Sequence, residues 1–319
     1  MFHWEKLGLL FEPGKVSARD WLKEFAQAPC TLIFDDFVRV YFSCRPAPNQ
    51  SHQYVSYSAF VDLDRRNLRR ILRVSEKPIL ELGGTGTFDE FGTYPVSVIR
   101  HDGKVFAYYA GWTRCESVPF NTAIGMAISD DDGVTFNRLG PGPVIPYSPD
   151  EPFVMSGPKI KYFNGLFQLF YIAGCTWILH NGRPEPVYKI RLATSNDGLN
   201  WKKHGHDLIY SRLDENEAQA SPDVIYSNGR YHMFFCYRYG TDYRCKERGY
   251  RIGYAHSTNL VDWTRDDTLA GIAISEKGWD SEMISYPHVF SLDGATYMFY
   301  LGNEVGRSGF GFARLVGAF

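Results

Sequence analysis

Several features that would mark a particular class of protein are scarce or missing in this chain. Its 319 residues carry 34 Lys and Arg against 36 Asp and Glu, which gives a net charge of -2, and no block of basic residues occurs. Neither a nucleic acid nor an anionic membrane is therefore an expected partner. The amino terminus lacks a basic segment followed by an apolar one, and no apolar run approaches membrane-spanning length. We therefore expect a cytoplasmic protein that contacts no membrane.

Cysteine and histidine are present without the spacing that disulfides or metal sites require. The six cysteines form no C-x-x-C pair, and Cys30, Cys44 and Cys236 fall within strand patterns. Buried free thiols are the favoured interpretation over disulfides or a metal. The nine histidines are scattered, and only His204 and His206 stand close together. We expect no cofactor and no metal signature, while a structural divalent ion on the axis of the fold stays open.

What the chain does have is a long repeat, marked by five prolines 63 to 66 residues apart. These are Pro29, Pro95, Pro158, Pro222 and Pro287, and thirteen positions after each stands an aromatic residue, namely Phe42, Tyr108, Tyr171, Phe235 and Tyr300. A period of this length is too long for a helical solenoid and suits one four-stranded blade with its loops. We predict an all-β, five-bladed β-propeller that occupies residues 1–319 as a single domain, with blades beginning near 29, 95, 158, 222 and 287.

The two ends of the chain are expected to close this propeller. Only six residues follow Ala313, so the fifth repeat runs out of chain after its third strand. The segment WEKLGLLF at residues 4 to 11 resembles the outer-strand segments that begin at Phe136 and Trp201. We predict that residues 4 to 11 form the outer strand of blade five and cover its edge. A short helix is expected at residues 17–25, with Ser17 as its N-cap.

Turn chemistry within the repeats is equally regular. Four repeats carry Asp-Gly or Asn-Gly after the first strand, at residues 102–103, 164–165, 228–229 and 293–294, and the first carries Asp35 and Asp36. Asn-Gly and Asp-Gly supply the positive φ angles that tight hairpins need. The acids in these turns are therefore predicted to be turn formers and not catalytic groups. The segment SDDDGVTF that begins at Ser129 resembles the Asp-box turn of several propellers and has the same structural meaning.

The strand order of a propeller predicts where its functional residues meet. The first strand of each blade lines the channel and the second runs antiparallel to it, so residues before each proline and after each aromatic share one mouth. Aromatic and polar side chains at these places could stack on and hydrogen-bond to a sugar. The candidate substrate-binding residues are Arg45, Asp89, Tyr94, Trp112, Arg114, Trp177, Arg238, Arg244, Tyr286, His288, Asn303 and Arg307. Blade packing for the aromatics and ion pairing for the arginines are the alternatives, and the arginines also suit an anionic sugar or a phosphate co-substrate.

Acidic residues recur at the axial entrance of the blades. Four repeats place Glu five positions before the proline, as Glu24, Glu90, Glu217 and Glu282, and Asp89 and Asp280 stand near two of them. Glycosyl chemistry needs one protonated carboxyl group for the leaving group and one ionised carboxylate for water or the anomeric carbon. Glu217, Asp280, Glu282 and Glu90 are the candidate catalytic acids, and solvated rim charges are the alternative.

The Pro-apolar-turn-aromatic repeat, with phrases such as FDEFGTYP at residues 88–95 and IGMAIS at 124–129, resembles the five-bladed propeller glycoside hydrolases of families 32, 43, 62, 68, 117 and 130. In families 32 and 43 the catalytic acids lie one or two residues before such prolines. Here those positions hold no carboxylate, so the acid triad of those families does not transfer. Tyr41–Arg45 is similar to a segment of the family 130 phosphorylases, but their Glu-Asp-Pro-Arg signature has no counterpart at Thr93–Val96.

The resemblance and the acids together favour a carbohydrate-active enzyme that cleaves or transfers a glycosidic bond in the central pocket. Two alternatives stay open, a noncatalytic propeller that binds a glycan or a partner, and a phosphate-dependent glycoside phosphorylase. The expected partner is a carbohydrate, with or without an anionic group or phosphate. The sequence identifies neither the sugar nor the stereochemical course of the reaction.

Overall fold

The chain folds into five antiparallel sheets, and a computed structural model describes residues 1–16 and 18–319. The first elements are strand β1 (Trp4–Phe11) and helix α1 (Pro13–Val16). The strands of the first two blades are β2 (Glu24–Ile33), β3 (Phe37–Arg45), β4 (Tyr57–Asp64), β5 (Asn67–Val74), β6 (Thr93–His101), β7 (Lys104–Thr113), β8 (Asn121–Ser129) and β9 (Asn137–Arg138). Those of the next two are β10 (Ser156–Phe163), β11 (Leu166–His180), β12 (Arg183–Ser195), β13 (Lys202–Lys203), β14 (Ala218–Ser227), β15 (Arg230–Arg238), β16 (Arg251–Ser257) and β17 (Thr264–Arg265). A 3₁₀ turn (Asp267–Leu269), β18 (Ser285–Leu292), β19 (Ala295–Leu301), the short helical segment α2 (Asn303–Gly306) and β20 (Phe310–Leu315) complete the fold.

Each sheet has four strands, and the five sheets form the five-bladed propeller predicted from the repeat. In the first four blades the strands lie side by side in chain order. In the fifth the order is β18, β19, β20 and β1, so the amino-terminal strand supplies the outer edge. Trp4 pairs with Leu315, and Phe11 pairs with Phe310. The prediction that residues 4 to 11 close the ring is confirmed.

A β-bulge interrupts the innermost strand of every blade at the repeated proline. The pairing with the second strand shifts register across Pro29, Pro95, Pro158, Pro222 and Pro287. Proline has no N–H to donate to the ladder, so a bulge is where a paired strand can accept it. The residue before the proline has positive φ at Ala28, Gly157, Ser221 and Tyr286, between 50° and 58°. Each bulge therefore turns the backbone at the entrance of the channel.

The hairpin turns follow the sequence prediction, whereas the expected helix does not form. Both residues of the four Asp-Gly and Asn-Gly turns have positive φ, for example 53° at Asn164 and 78° at Gly165. Residues 18–23 are not helical, and Glu24 already belongs to β2, where it pairs with Arg45. The helix predicted for residues 17–25 does not form over residues 18–25, because strand pairing overrides local helix propensity. Ser17 lies outside the described residues. Among the described residues, no helix has the length and apolar composition needed to cross a bilayer.

Apolar side chains pack between neighbouring blades and between the two ends of the chain. Phe11 on β1 is fully buried, with ring centroids 4.9 Å from Phe42 and 5.5 Å from Phe310. These three rings belong to one buried cluster shared by the first and fifth blades. The closing strand is therefore held by core packing as well as by its backbone pairing.

We predict that Phe11→Ala lowers the free energy of unfolding by about 3 to 5 kcal/mol, because the substitution leaves a cavity at the ring closure. Urea denaturation followed by tryptophan fluorescence measures the change. The control is Leu72→Ala, whose side chain is 45% exposed on β5, and it should change stability by no more than about 0.5 kcal/mol. Equal effects of the two substitutions would contradict a closing role for β1.

Candidate functional site

A cavity of about 760 Å³ lies at the end of the axial channel where the innermost strands begin. All five blades contribute to its lining next to their prolines, through Gln27, Tyr94, Ser156, Ser221 and Tyr286. Its size falls within the roughly 300 to 1,000 Å³ of pockets that hold small ligands. The bulges thus place one polar or aromatic residue from each blade around a single site.

Hydrogen-bonding phenols are concentrated in this lining. The hydroxyl groups of Tyr188 and Tyr250 lie 2.7 Å apart, and Tyr94 and Tyr286 stand on the inner strands β6 and β18 of the second and fifth blades. Burial raises the pKa of Tyr94, Tyr250 and Tyr286. These side chains are therefore neutral phenols at physiological pH, suited to donate to and accept from sugar hydroxyls.

Arg238 lies among these phenols and is only 1% exposed. Its guanidinium donates to the hydroxyls of Tyr250 and Tyr188 and to the backbone carbonyls of Pro186, Tyr239 and Gly240. The ring of Tyr243 covers its face at 3.6 Å. All five N–H donors of an arginine are thereby used. Arg238 contributes positive charge to the site but has no donor left for a ligand.

Two further arginines line the cavity beside Tyr54. Arg45 donates to Ser56 Oγ (3.1 Å) and Gln27 Oε1 (3.3 Å), and Arg114 donates to the carbonyl of Tyr54 (3.2 Å). Neither forms an ion pair with a described carboxylate. We call this part of the lining, Arg45 and Arg114, the arginine wall.

The buried carboxylate of the lining is Glu185 on β12. It accepts from the Tyr243 hydroxyl (2.8 Å) and from Arg244 Nη1 (2.7 Å), and Arg183 Nε lies 3.2 Å away. Burial opposes ionisation of Glu185, but the bonds from Arg244 and Tyr243 and the nearby arginine charges outweigh it and lower its pKa. Glu185 is therefore an ionised carboxylate. Glu116 and Glu304 are the other two carboxyl residues of the lining, and both are exposed.

A buried charged network lies deeper in the channel, below the bulges. Asp223 Oδ2 is 2.8 Å from His288 Nδ1, and Asp223 Oδ1 is 2.7 Å from Lys161 Nζ. The backbone N–H of Thr31 donates to His288 Nε2 (3.0 Å), so the proton of the neutral ring is on Nδ1 and faces Asp223. Burial lowers the pKa of His288 to about 4, with Asp223 opposing and Lys159 adding to the shift. His288 is thus a neutral residue of the channel floor and is outside the cavity lining.

Buried acids that precede the prolines of four blades occupy one repeated arrangement, which we call the blade clamp. In four blades a buried carboxylate pairs with a basic residue of the outer strand: Asp89 with Arg138, Glu151 with Lys203, Glu217 with Arg265 and Asp280 with Lys6, at 2.6 to 2.7 Å. In three of them a second-strand tyrosine also donates to the acid: Tyr109 to Asp89, Tyr171 to Glu151 and Tyr300 to Asp280. For Glu217, burial opposes ionisation, but the bonds from Arg265 and Gln219 lower its pKa. The clamp ties three parts of a blade together, and none of its acids lines the cavity.

Seven of the predicted substrate-binding residues line the cavity, namely Arg45, Tyr94, Trp112, Arg114, Arg238, Arg244 and Tyr286. The other five do not line it. Asp89 belongs to the clamp, His288 belongs to the channel floor, and Trp177 packs against Phe120. Asn303 hydrogen-bonds to the backbone of Glu282 and Gly278, and Arg307 forms ion pairs with Glu24 and Glu304. Of the predicted catalytic acids, Glu217 and Asp280 are clamp residues, Glu90 accepts from the backbone N–H of Gly86, and Glu282 is exposed. Their catalytic roles stay predictions, and their positions are outside the cavity.

The sequence reasoning missed Tyr188, Tyr250 and Glu185. Tyr188 and Tyr250 stand two positions before Ile190 and Ile252, which are equivalent residues of the third strand, so aligning the third strands would have indicated the two tyrosines. Glu185 had no such signal. It lies on the long hairpin of β11 and β12, which extends beyond the repeat and carries Glu185 to the cavity.

Comparisons with known proteins agree with this architecture. No protein-family model matches the chain. The uncharacterized Mycobacterium tuberculosis protein Rv1502 is 34% identical over 313 residues, covering 98% of this chain and 99% of that protein. The 1,2-β-oligomannan phosphorylase of a Thermoanaerobacter species is 24% identical over 169 residues, which is 51% of this chain and 52% of the phosphorylase.

Solved structures show the same fold at low sequence identity. A glycoside hydrolase has a TM-score of 0.76 at 17% identity, and the match covers 99% of this chain and 92% of the hydrolase. A structure from work on the GH130 family of mannoside phosphorylases, which reports hydrolases of β-1,2 mannosidic linkages in Candida mannan, has a TM-score of 0.70 at 15% identity, covering 98% and 94%. The resemblance to the propeller glycoside hydrolases is confirmed at the level of the fold.

We predict that Glu217→Gln lowers the free energy of unfolding by about 1.5 to 3 kcal/mol, because it replaces a buried carboxylate that accepts a charge-assisted hydrogen bond from Arg265, while Asp267 remains as the other partner of Arg265. Both side chains of this pair are fully buried. Chemical denaturation gives the value, with the exposed neighbour Glu215→Gln as the matched control. Unchanged stability with lost turnover would instead support the catalytic role predicted for Glu217.

We predict that acid weakens the fold through His288. Its pKa lies near 4 in the fold and near 6.5 in the unfolded state, so the unfolded state binds more protons between these values. The stabilisation is complete above about pH 6.5 and is lost as the pH falls toward 4, by up to about 3 kcal/mol. Urea unfolding of the wild type and of His288→Gln at about pH 7 and pH 4.5 measures this contribution as the difference between their changes in the free energy of unfolding. The variant keeps Asp223, Lys159 and Lys161, the charged residues around His288. An identical pH dependence in both proteins would exclude His288 as its source.

Proposed function

We propose that this protein, which belongs to the same family as Rv1502 of Mycobacterium tuberculosis and shares the fold of propeller glycoside hydrolases, is a carbohydrate-active enzyme that cleaves or transfers a glycosidic bond in the axial cavity. The observation that carries the proposal is the lining itself. Aromatic faces such as Trp112 and Tyr94 stand beside phenols, amides and arginines around one cavity. Flat C–H faces and ring hydroxyls of sugars need this combination of partners.

Glu185 is the proposed nucleophile or general base. Its carboxylate is ionised and held in place by Tyr243 and Arg244, and an ionised carboxylate either attacks the anomeric carbon or takes a proton from water. Glu116 and Glu304 carry the remaining carboxyl groups of the lining and are the candidates to protonate the leaving oxygen. We favour these three over Glu217, Asp280, Glu282 and Glu90, because proton transfer requires hydrogen-bond reach of the substrate.

Phosphorolysis is a second candidate reaction. The arginine wall offers donors to a phosphate, and one partial relative is the 1,2-β-oligomannan phosphorylase. In this reaction the phosphate oxygen would replace water as the group that attacks the anomeric carbon, and the sugar phosphate would be the product.

Incubation with a panel of oligosaccharides, each with and without phosphate, tests the proposal. Mass spectrometry of the products should show cleavage by the wild type, and sugar phosphates would identify phosphorolysis. We predict that Glu185→Gln lowers the rate by at least about 100-fold while the protein stays folded, because the reacting carboxylate is lost. Glu5→Gln, exposed on β1, is the control and should keep full activity. Binding of sugars without turnover of any panel member would make the protein a noncatalytic propeller.

A further inference from the structure

We propose that the arginine wall binds an oxyanion, a carboxylate or phosphate group carried by the ligand of the cavity. The proposal deepens the proposed function and rests on it, since it assigns the charge of the carbohydrate. The two residues that would touch the group are Arg45, at the end of β3, and Arg114, just after β7. They come from neighbouring blades and meet at Tyr54, whose carbonyl accepts from Arg114 and whose ring centroid lies 5.4 Å from the Arg45 guanidinium.

Most donors of these two arginines have no acceptor in the protein. A guanidinium carries five N–H groups. Arg45 uses one on Ser56 and one on Gln27, and Arg114 uses one on the Tyr54 carbonyl. The other donors of both side chains make no hydrogen bond with the described residues. Both arginines are half-buried, so a ligand in the cavity is the group that can replace water on these donors.

Aromatic rings hold the two guanidinium planes. The Arg45 guanidinium lies 4.5 Å from the ring centroid of Phe25, and that of Arg114 lies 4.1 Å from the centroid of Phe91. Stacking covers a flat face of each group and leaves the N–H edge for a ligand. Such preorganised edges suit the two oxygens of a carboxylate or phosphate, which bind arginine through paired hydrogen bonds.

The other three arginines of the cavity already have protein partners for their charge or for all of their donors. Arg183 and Arg244 share the carboxylate of Glu185, and every N–H of Arg238 has a protein acceptor. Glu304 pairs with Arg307 at 3.2 Å. Five arginines and three glutamates, among them the exposed Glu116, line the cavity, so its lining is positive on balance, and neither the arginine wall nor buried Arg238 has a carboxylate partner among the described residues. An anionic ligand would supply the missing charge, because a desolvated cation is stable only when it is paired.

The charge pattern also orients the ligand. Glu185 belongs to the third blade, whereas the arginine wall belongs to the first and second. An anionic substituent is attracted to the wall and repelled by the ionised Glu185. The uncharged part of the sugar, with its glycosidic bond, is thereby left for the side of the cavity that holds Glu185.

The test compares acidic and neutral forms of the same sugars. Isothermal titration calorimetry with glucuronate against glucose, and with mannose 1-phosphate against mannose, measures the preference, and inorganic phosphate alone is a separate arm. We expect the acidic forms to bind more tightly and Arg114→Gln to weaken them by about 10- to 100-fold, the size of a lost charge-assisted hydrogen bond. Arg45→Lys should lose most of the preference while it keeps the charge, because lysine lacks the paired edge. Arg100→Gln, which removes an arginine that pairs with Asp132 outside the cavity, is the control and should have no effect.

The outcomes separate this site from the proposed function. Binding of uronate, sugar phosphate or inorganic phosphate that depends on Arg114 supports the oxyanion site, and the arm that binds identifies the source of the anion. If those anions bind but no glycoside is turned over, the site stands and the proposed function fails. Equal affinity for acidic and neutral sugars overturns the oxyanion site, and so does a dissociation constant for the acidic ligand that Arg114→Gln changes by less than about twofold. Either result counts against the site even if a neutral glycoside is cleaved. Thermal melting of each variant confirms that it is folded.

Discussion

The blade clamp is the interaction on which the rest of this structure depends. Three outer strands, β9, β13 and β17, are only two residues long, and backbone pairing over two residues holds a strand weakly. Each carries a basic side chain, Arg138, Lys203 or Arg265, that reaches a buried carboxylate next to the innermost strand. Because that carboxylate is buried, removal of either partner takes away part of the compensation of a buried charge. Each of these three blades is thus fixed from its outer edge to the channel.

The same clamp closes the ring. In the fifth blade the basic partner is Lys6 on β1, which bonds to Asp280 across a sequence separation of 274 residues. Tyr300 completes the contact from β19. The amino-terminal strand therefore covers an exposed edge and also supplies a charge that the last blade would otherwise lack. Strand pairing, core packing at Phe11 and the clamp all act at one seam.

Rigid blades allow the channel entrance to adopt backbone conformations that would be unfavourable alone. Ala28, Ser221 and Tyr286 are not glycine, yet each has positive φ before its proline, which disfavours the native conformation by about 1 kcal/mol or more. The surrounding sheets hold these residues there, and the bulges direct side chains into the cavity. The site is asymmetric because the blades differ at these positions and in the loops: the arginine wall comes from two blades and Glu185 from the long hairpin of another.

The sequence by itself determined the repeated part of this protein. Pro29 and its four counterparts, the Asn-Gly and Asp-Gly turns of four repeats and the resemblance of residues 4 to 11 to outer strands predicted the propeller and its closure, because these signals act locally and recur from blade to blade. The acids that the same regularity singled out lie outside the cavity lining. Glu217 and Asp280 recur because every clamp needs a carboxylate, whereas Glu185 breaks the repeat. Only the tertiary structure decided which acid faces the cavity, because neighbouring blades and a single hairpin bring distant residues together there.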